Sequence, residues 1–174
     1  YWAYPLSLIM HHLLAAYGMY RLGKSLSWTP TAASLAALSF AFSGIMISMN
    51  NFYPLLTTSI WIPFIFDSAY NVFNQPRRRS FYTALLALFL GLQILSGHFE
   101  IVAMTGLLLL LNLLPPLIQT LQTGKERVRV LFWGALALLL SLGFSMVQFW
   151  PSYELLQLSD RVSDSFSQNN QLWS

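Results

Sequence analysis

Cysteine is absent from the 174 residues, and charge is scarce, with only 9% of the chain Asp, Glu, Lys or Arg. The first absence removes disulfides, thiolate metal sites and cysteine nucleophiles together, and it carries no information on redox compartment. The second sets the sequence apart from soluble domains, in which roughly 25% of residues are charged. Acids are the scarcer sign, six against nine basic residues. No solenoid-type repeat is visible, and the run Leu107 to Leu111 is a low-complexity stretch ordinary for a membrane helix.

What is present is apolar: 56% hydrophobic residues, 13 Phe, 6 Trp and a mean hydropathy of +0.55. A bilayer-crossing helix needs about 20 mostly apolar residues. Six such stretches can be read, at Trp2 to Tyr20, Thr31 to Met49, Leu55 to Phe73, Phe81 to Gly97, Phe99 to Leu121 and Val130 to Trp150. The expected fold is therefore all-α, a polytopic helix bundle of six spans in a single transmembrane domain covering 1–174. Net charge is +3 with a pI near 9.4, and the basic residues are placed by topology, so no nucleic-acid partner is expected. Arg21 and Lys24 follow the first stretch, Arg77, Arg78 and Arg79 the third, and Lys125, Arg127 and Arg129 the fifth. Eight of the nine cations thus fall on one side, with Arg161 alone on the other. Basic loops stay in the cytoplasm, which assigns the loops near 21–30, 74–80 and 122–129 to that side. The loops near 50–54 and 96–100 and the tail 151–174 are then extracytoplasmic.

The opening at Tyr1 runs straight into an apolar aromatic segment, with no basic region before it and no small-residue cleavage site after it, unlike a signal peptide. A first helix entering from outside needs an upstream element, and the polar tail through Trp173 stops without a finish. The chain is expected to be an internal piece of a longer polytopic protein. Ala33, Ala37 and Ala41 share one stripe of the second stretch, with Ala36, Phe40, Gly44 and Ser48 on the neighbouring one. Small side chains there allow close helix approach. Pro115 and Pro116 predict a kink or an early end in the fifth helix. The six Trp mostly fall near span ends, as interfacial aromatics do, with Trp61 deeper.

Polar groups within apolar spans cost free energy unless paired. Asp67 lies about 9 Å from the end of the third stretch at 1.5 Å per residue. It reads either as a proton or ion ligand or as a carboxylate bonded to Ser68, Tyr70 or a neighbouring helix. Its distance from the midplane, where the penalty is about 2.5–3.5 kcal/mol, favours the second. His11 and His12 are adjacent and point about 100° apart, so they are not a same-face metal pair. They serve either as structural histidines or with one ring facing a polar cavity. On the extracytoplasmic side His98 and Glu100 sit in a short turn, and Glu154, Asp160, Arg161 and Asp164 follow the sixth stretch. Such a set has the chemistry to hold a divalent cation such as Mg or Mn through hard oxygens, to supply a general base and to clamp a phosphate through arginine. It also has a plainer reading as a solvated rim in which Arg161 pairs with Asp160 or Asp164.

The turn Ser96-Gly97-His98-Phe99-Glu100 is similar to the Gly-His-Pro-Gln-like turn of the YfhO-like bacterial membrane proteins, with Phe99 and Glu100 departing from it. Trp61-Ile62-Pro63-Phe64 resembles the Trp-x-Pro-hydrophobic element of the same family. Gln148, Pro151, Glu154, Leu155, Ser159 and Arg161 resemble its Gln-x-x-Pro-x-x-Glu-Leu and Ser-x-Arg segment. Leu13 to Leu26, with Gly18, Tyr20 and Leu22, is similar to its glycine-tyrosine-leucine helix end. The resemblance implies a GT-C-type fold in the bacterial cytoplasmic membrane. It also implies transfer of a sugar from a polyprenyl-phosphate carrier to an envelope acceptor: polysaccharide, teichoic-acid-like polymer, lipid or protein. It implies His98, Glu154, Arg161 and, with a non-matching side chain, Glu100 as contributors to an outer cavity. The acidic catalytic residue of such enzymes has no match here and is expected upstream of Tyr1, so this chain alone is expected to be inactive. The rival classes are a transporter or flippase segment and a noncatalytic membrane scaffold. A transporter is expected to place its polar groups at the midplane of paired halves, unlike the rim-crowded groups here.

Overall fold

The computed structural model describes residues 2–120 and 124–158, and every regular element among them is helical. In chain order these are α1 (Ala3–Ser25), α2 (Pro30–Ala41), α3 (Gly44–Ser48), α4 (Tyr53–Ser59), α5 (Ile62–Asn74), α6 (Arg79–Leu95), α7 (Phe99–Thr120) and α8 (Gly124–Leu158). A 3-10 turn, Met49–Asn51, links α3 to α4, and another, Pro76–Arg78, leads into α6.

Several helix ends fall away from the ends of the apolar runs. The second run breaks after Ala41 because Ser43 offers the backbone an alternative. Its hydroxyl donates to the Phe40 carbonyl at 3.0 Å and accepts from the Met46 amide at 3.3 Å, capping α3. The third run breaks between Ser59 and Ile62, and Pro63 falls in the first turn of α5, where its missing N–H costs nothing. At the α1–α2 junction the Trp28 amide bonds to the Gly23 carbonyl at 3.0 Å and the Ser27 amide to the Lys24 carbonyl at 3.1 Å. This is a Schellman end, with Ser27 at φ 63° in the left-handed position that glycine normally takes. Thr29 and Pro30 then start α2 as cap and first-turn residue. The early end expected at Pro115 and Pro116 is not found, since α7 runs to Thr120. Likewise α8 does not exit at Pro151 but remains helical to Leu158, about 52 Å in all.

α1 packs between α2 and α5, and α6 packs between α5 and α8, while α7 touches α4, α6 and α8. Two apolar clusters result. One joins Ala15, Ala41, Met46, Leu56 and Ile60, and the other joins α5, α6 and α8 through residues such as Ile65, Leu86, Leu90 and Ala137. Trp61 flanks both, its indole 5.9 Å from the Phe89 ring. The alanine stripe of α2 is buried at all three positions against α1.

Among the described residues two segments are long and apolar enough to cross a membrane, Pro30–Asn51 and Leu131–Leu155. Only 22% and 17% of their apolar windows are buried inside the molecule. Large apolar side chains are exposed along α1, α2, α7 and α8, among them Leu13, Leu35, Leu107, Leu139 and Val147. Surface of that extent requires a covering.

Candidate functional site

Basic side chains among the described residues gather at one end of the bundle. Arg21 and Lys24, in the last turns of α1, share a cleft with Asn71 and Gln75 from the end of α5, and Arg77 and Arg79 share another with Arg129 of α8. At the opposite end lie the start of α1, with Tyr4 donating to the Asn50 carbonyl at 2.7 Å, the α6–α7 turn and the last turns of α8.

Asp67 is fully buried at the cationic end. Its partners come from α1 and its own helix, and none is Ser68 or Tyr70. Arg21 places a guanidinium nitrogen 2.8 Å from Oδ2, while Ser25 donates to Oδ1, as does the Asn71 amide at 3.0 Å. Oδ2 has no aligned hydrogen-bond donor, so its compensation is the charge of Arg21, whose side chain is 32% exposed. The Asn71 amide nitrogen also lies 3.0 Å from the Ser25 hydroxyl, and Gln75 donates to Asn71 Oδ1 at 2.8 Å. Arg21 and Ser25 are one turn apart, as are Asp67, Asn71 and Gln75, so two facing helices form a polar ladder. Beside it, Tyr17, Tyr20 and Lys24 complete a cleft of about 440 Å³.

His11 and His12 serve different neighbours. His11 Nδ1 donates to the Ser7 carbonyl at 2.6 Å, and the Ser7 hydroxyl is 2.6 Å from that of Tyr53. His12 is buried, donates from Nδ1 to the Ala41 carbonyl at 2.7 Å, places Nε2 3.0 Å from the Asn50 amide and stacks on Phe42. His12 thereby ties α1 to the end of α2 and to Asn50, while the His11 ring bonds within α1 and meets the Tyr53 ring edge-on at 5.4 Å.

At the other end Gly97 adopts φ +85°, which permits the tight α6–α7 reversal. The Gln148 amide nitrogen lies 3.8 Å from where a Cβ would stand on Gly97, which seats α8 directly against the turn. Ile94, Phe99, Gln148, Phe149, Ser152 and Tyr153 enclose a cleft of about 310 Å³, apolar except for the amide and hydroxyl groups. His98 is half-buried beside it with Nδ1 buried and without a hydrogen-bond partner. Glu100 and Glu154 are exposed, and neither they nor His98 line the cleft. Asp160, Arg161 and Asp164 lie outside the described residues. Among the described residues no group of three or more His, Asp or Glu side chains is placed to hold a metal ion. His98, Glu100 and Glu154 are therefore not grouped to hold a cation by themselves.

Two polar residues that the sequence reading did not single out as site candidates stand out. Gln93 of α6 is fully buried and donates to Thr105 Oγ1 at 2.9 Å and to the Thr58 carbonyl at 3.3 Å, leaving its own oxygen unsatisfied. A lone amide inside the run Phe81 to Gly97 is the signal that marks it. Gln148, quoted above within a motif, supplies the amide that lines the cleft beside the α6–α7 turn. Compared with protein-family models, with curated proteins and with solved structures, the chain matches none.

Proposed function

We propose that this chain is part of a six-span, GT-C-like membrane glycosyltransferase that moves a sugar from a polyprenyl-phosphate carrier to an envelope acceptor, at the end of the bundle away from the arginines. The observation that carries this reading is the cleft between the α6–α7 turn and α8. Its aromatic walls, Phe99, Phe149 and Tyr153, suit both a sugar face and an isoprenoid chain, and Gln148 and Ser152 supply the few polar groups such sites use for orientation. His98, next in sequence to the cleft residue Phe99, is the proposed proton acceptor from the family resemblance, reached once its buried ring nitrogen turns toward the cleft. Arg161, from the family resemblance, is the proposed partner of the carrier phosphate, a leaving group that needs positive charge nearby. The six apolar runs and the single-ended clustering of cations support a cytoplasmic placement of Arg21, Arg77 and Arg129.

The test is transfer of isotope-labelled sugar to envelope polymer by the whole protein that carries this segment, in its own membrane. Gln148→Ala is expected to slow transfer about fivefold, the value of one hydrogen bond to a sugar hydroxyl, and Arg161→Ala to slow it further. Unchanged transfer in both variants, at wild-type protein levels, overturns the reading in favour of a scaffold. Substrate flux without transfer overturns it in favour of a transporter.

A further inference from the structure

Three arginines from two stretches of the chain converge where the α5–α6 turn meets the start of α8. Pro76, Arg77, Arg79, Ser80, Arg129 and Trp133 line a pocket of about 250 Å³. Arg79 is almost fully buried, and its Nε donates to the Val72 carbonyl at 2.9 Å, which fixes the guanidinium in place before any ligand arrives. Arg77, Ser80 and Arg129 are exposed at the rim. In sequence the two contributing stretches, 76–80 and 125–133, carry six cations against the single acid Glu126.

We propose that this pocket binds the phosphate of an anionic membrane lipid. Guanidinium forks match phosphate oxygens in pairs, and the Ser80 hydroxyl adds a neutral donor. The volume lies below the roughly 300–1,000 Å³ of drug-sized sites, so it accommodates a headgroup and leaves the acyl chains outside. Their place is supplied by Phe81, Val128, Leu131 and Phe132, which adjoin the pocket residues in sequence and expose between 46% and 67% of their surface. That apolar border favours a lipid headgroup over free phosphate. Trp133, in the pocket wall, sits where an indole bridges headgroup and hydrocarbon. Basic pockets between membrane helices on the cytoplasmic side bind anionic headgroups in this way.

The proposal shares the bilayer placement of the proposed function and is independent of its sugar chemistry. The experiment uses the full chain in vesicles of phosphatidylcholine containing, at equal mole fraction, acyl-brominated phosphatidylcholine or acyl-brominated phosphatidylglycerol. Flotation with the vesicles reports the placement, and tryptophan quenching reports the headgroup preference. Brominated phosphatidylglycerol is expected to quench more strongly, and the difference is expected to vanish in Trp133→Phe. Arg77→Gln, at an exposed turn position that folding does not need, is expected to weaken the preference about tenfold, as for loss of one charged hydrogen bond. Arg129→Gln should do the same. Equal quenching by the two lipids overturns the proposal, as does a chain that fails to float. Displacement of the lipid effect by inorganic phosphate reassigns the pocket to a soluble anion and overturns it as well.

Discussion

Asp67 and Arg21 show how unequal the two halves of an ion pair are. Removing one partner of a buried pair costs about 3–5 kcal/mol, because the survivor is left uncompensated. Arg21→Met strands a carboxylate with no access to water, whereas Asp67→Asn leaves a guanidinium that is one-third exposed. Arg21→Met is therefore expected to be the more destabilising, near the upper part of that range, and Asp67→Asn near about 3 kcal/mol, in thermal unfolding of the detergent-solubilised protein. A negligible loss from Arg21→Met would show that Arg21 contributes no compensation to the buried carboxylate. Ser27 is the second residue with a readable cost. A non-glycine residue in the left-handed region is disfavoured by roughly 1–2 kcal/mol, so Ser27→Gly is expected to raise stability by up to about 1 kcal/mol in the same assay. The sequence pointed to a paired Asp67 near a helix end, because a carboxylate in an apolar run has few other solutions. It did not name Arg21 and Ser25, since partners 46 and 42 positions away are set by how α1 and α5 pack.

At the scale of the element, glycines mark where helices press together. A Cβ on Gly18 would stand 2.6 Å from the Phe64 ring, and one on Gly91 would stand 2.7 Å from that of Phe144. Phe64 is held by Tyr17, Trp61 and Phe89, so it has little room to retreat. Gly18→Ala is expected to cost about 1–3 kcal/mol by overpacking, while Gly143→Ala, which meets nothing within 4 Å, is expected to leave stability unchanged or raise it through helix propensity. Both are checked by denaturation midpoints. The alanine stripe of α2 was legible because its four-residue spacing puts small side chains on one face, and that face is buried. The breaks at Ser43 and Trp61 were not, because hydropathy records apolar character and is blind to a hydroxyl capping the next turn or to a proline opening one. The cleft beside the α6–α7 turn was legible only as a cluster of motifs around Gly97 and Gln148. Its walls depend on α8 staying helical past Pro151, which a proline in sequence argues against.

For the whole molecule the informative quantity is the separation of charge between the two ends. The chain lacks cysteine, so single substitutions report sidedness without background. In sealed, oriented membrane vesicles Arg78→Cys and Glu100→Cys are expected to react with an impermeant thiol reagent from opposite faces. Labelling of both from one face would remove the six-span topology and the proposed chemistry together. The two apolar clusters meet at a single indole, and this has an optical consequence. Any slippage between the α1–α4 half and the α5–α8 half must move Trp61 against the Ala15, Met46 and Leu56 cluster and alter the polarity its excited state senses. With the other five tryptophans replaced by phenylalanine, emission from that seam becomes an internal strain gauge for the molecule.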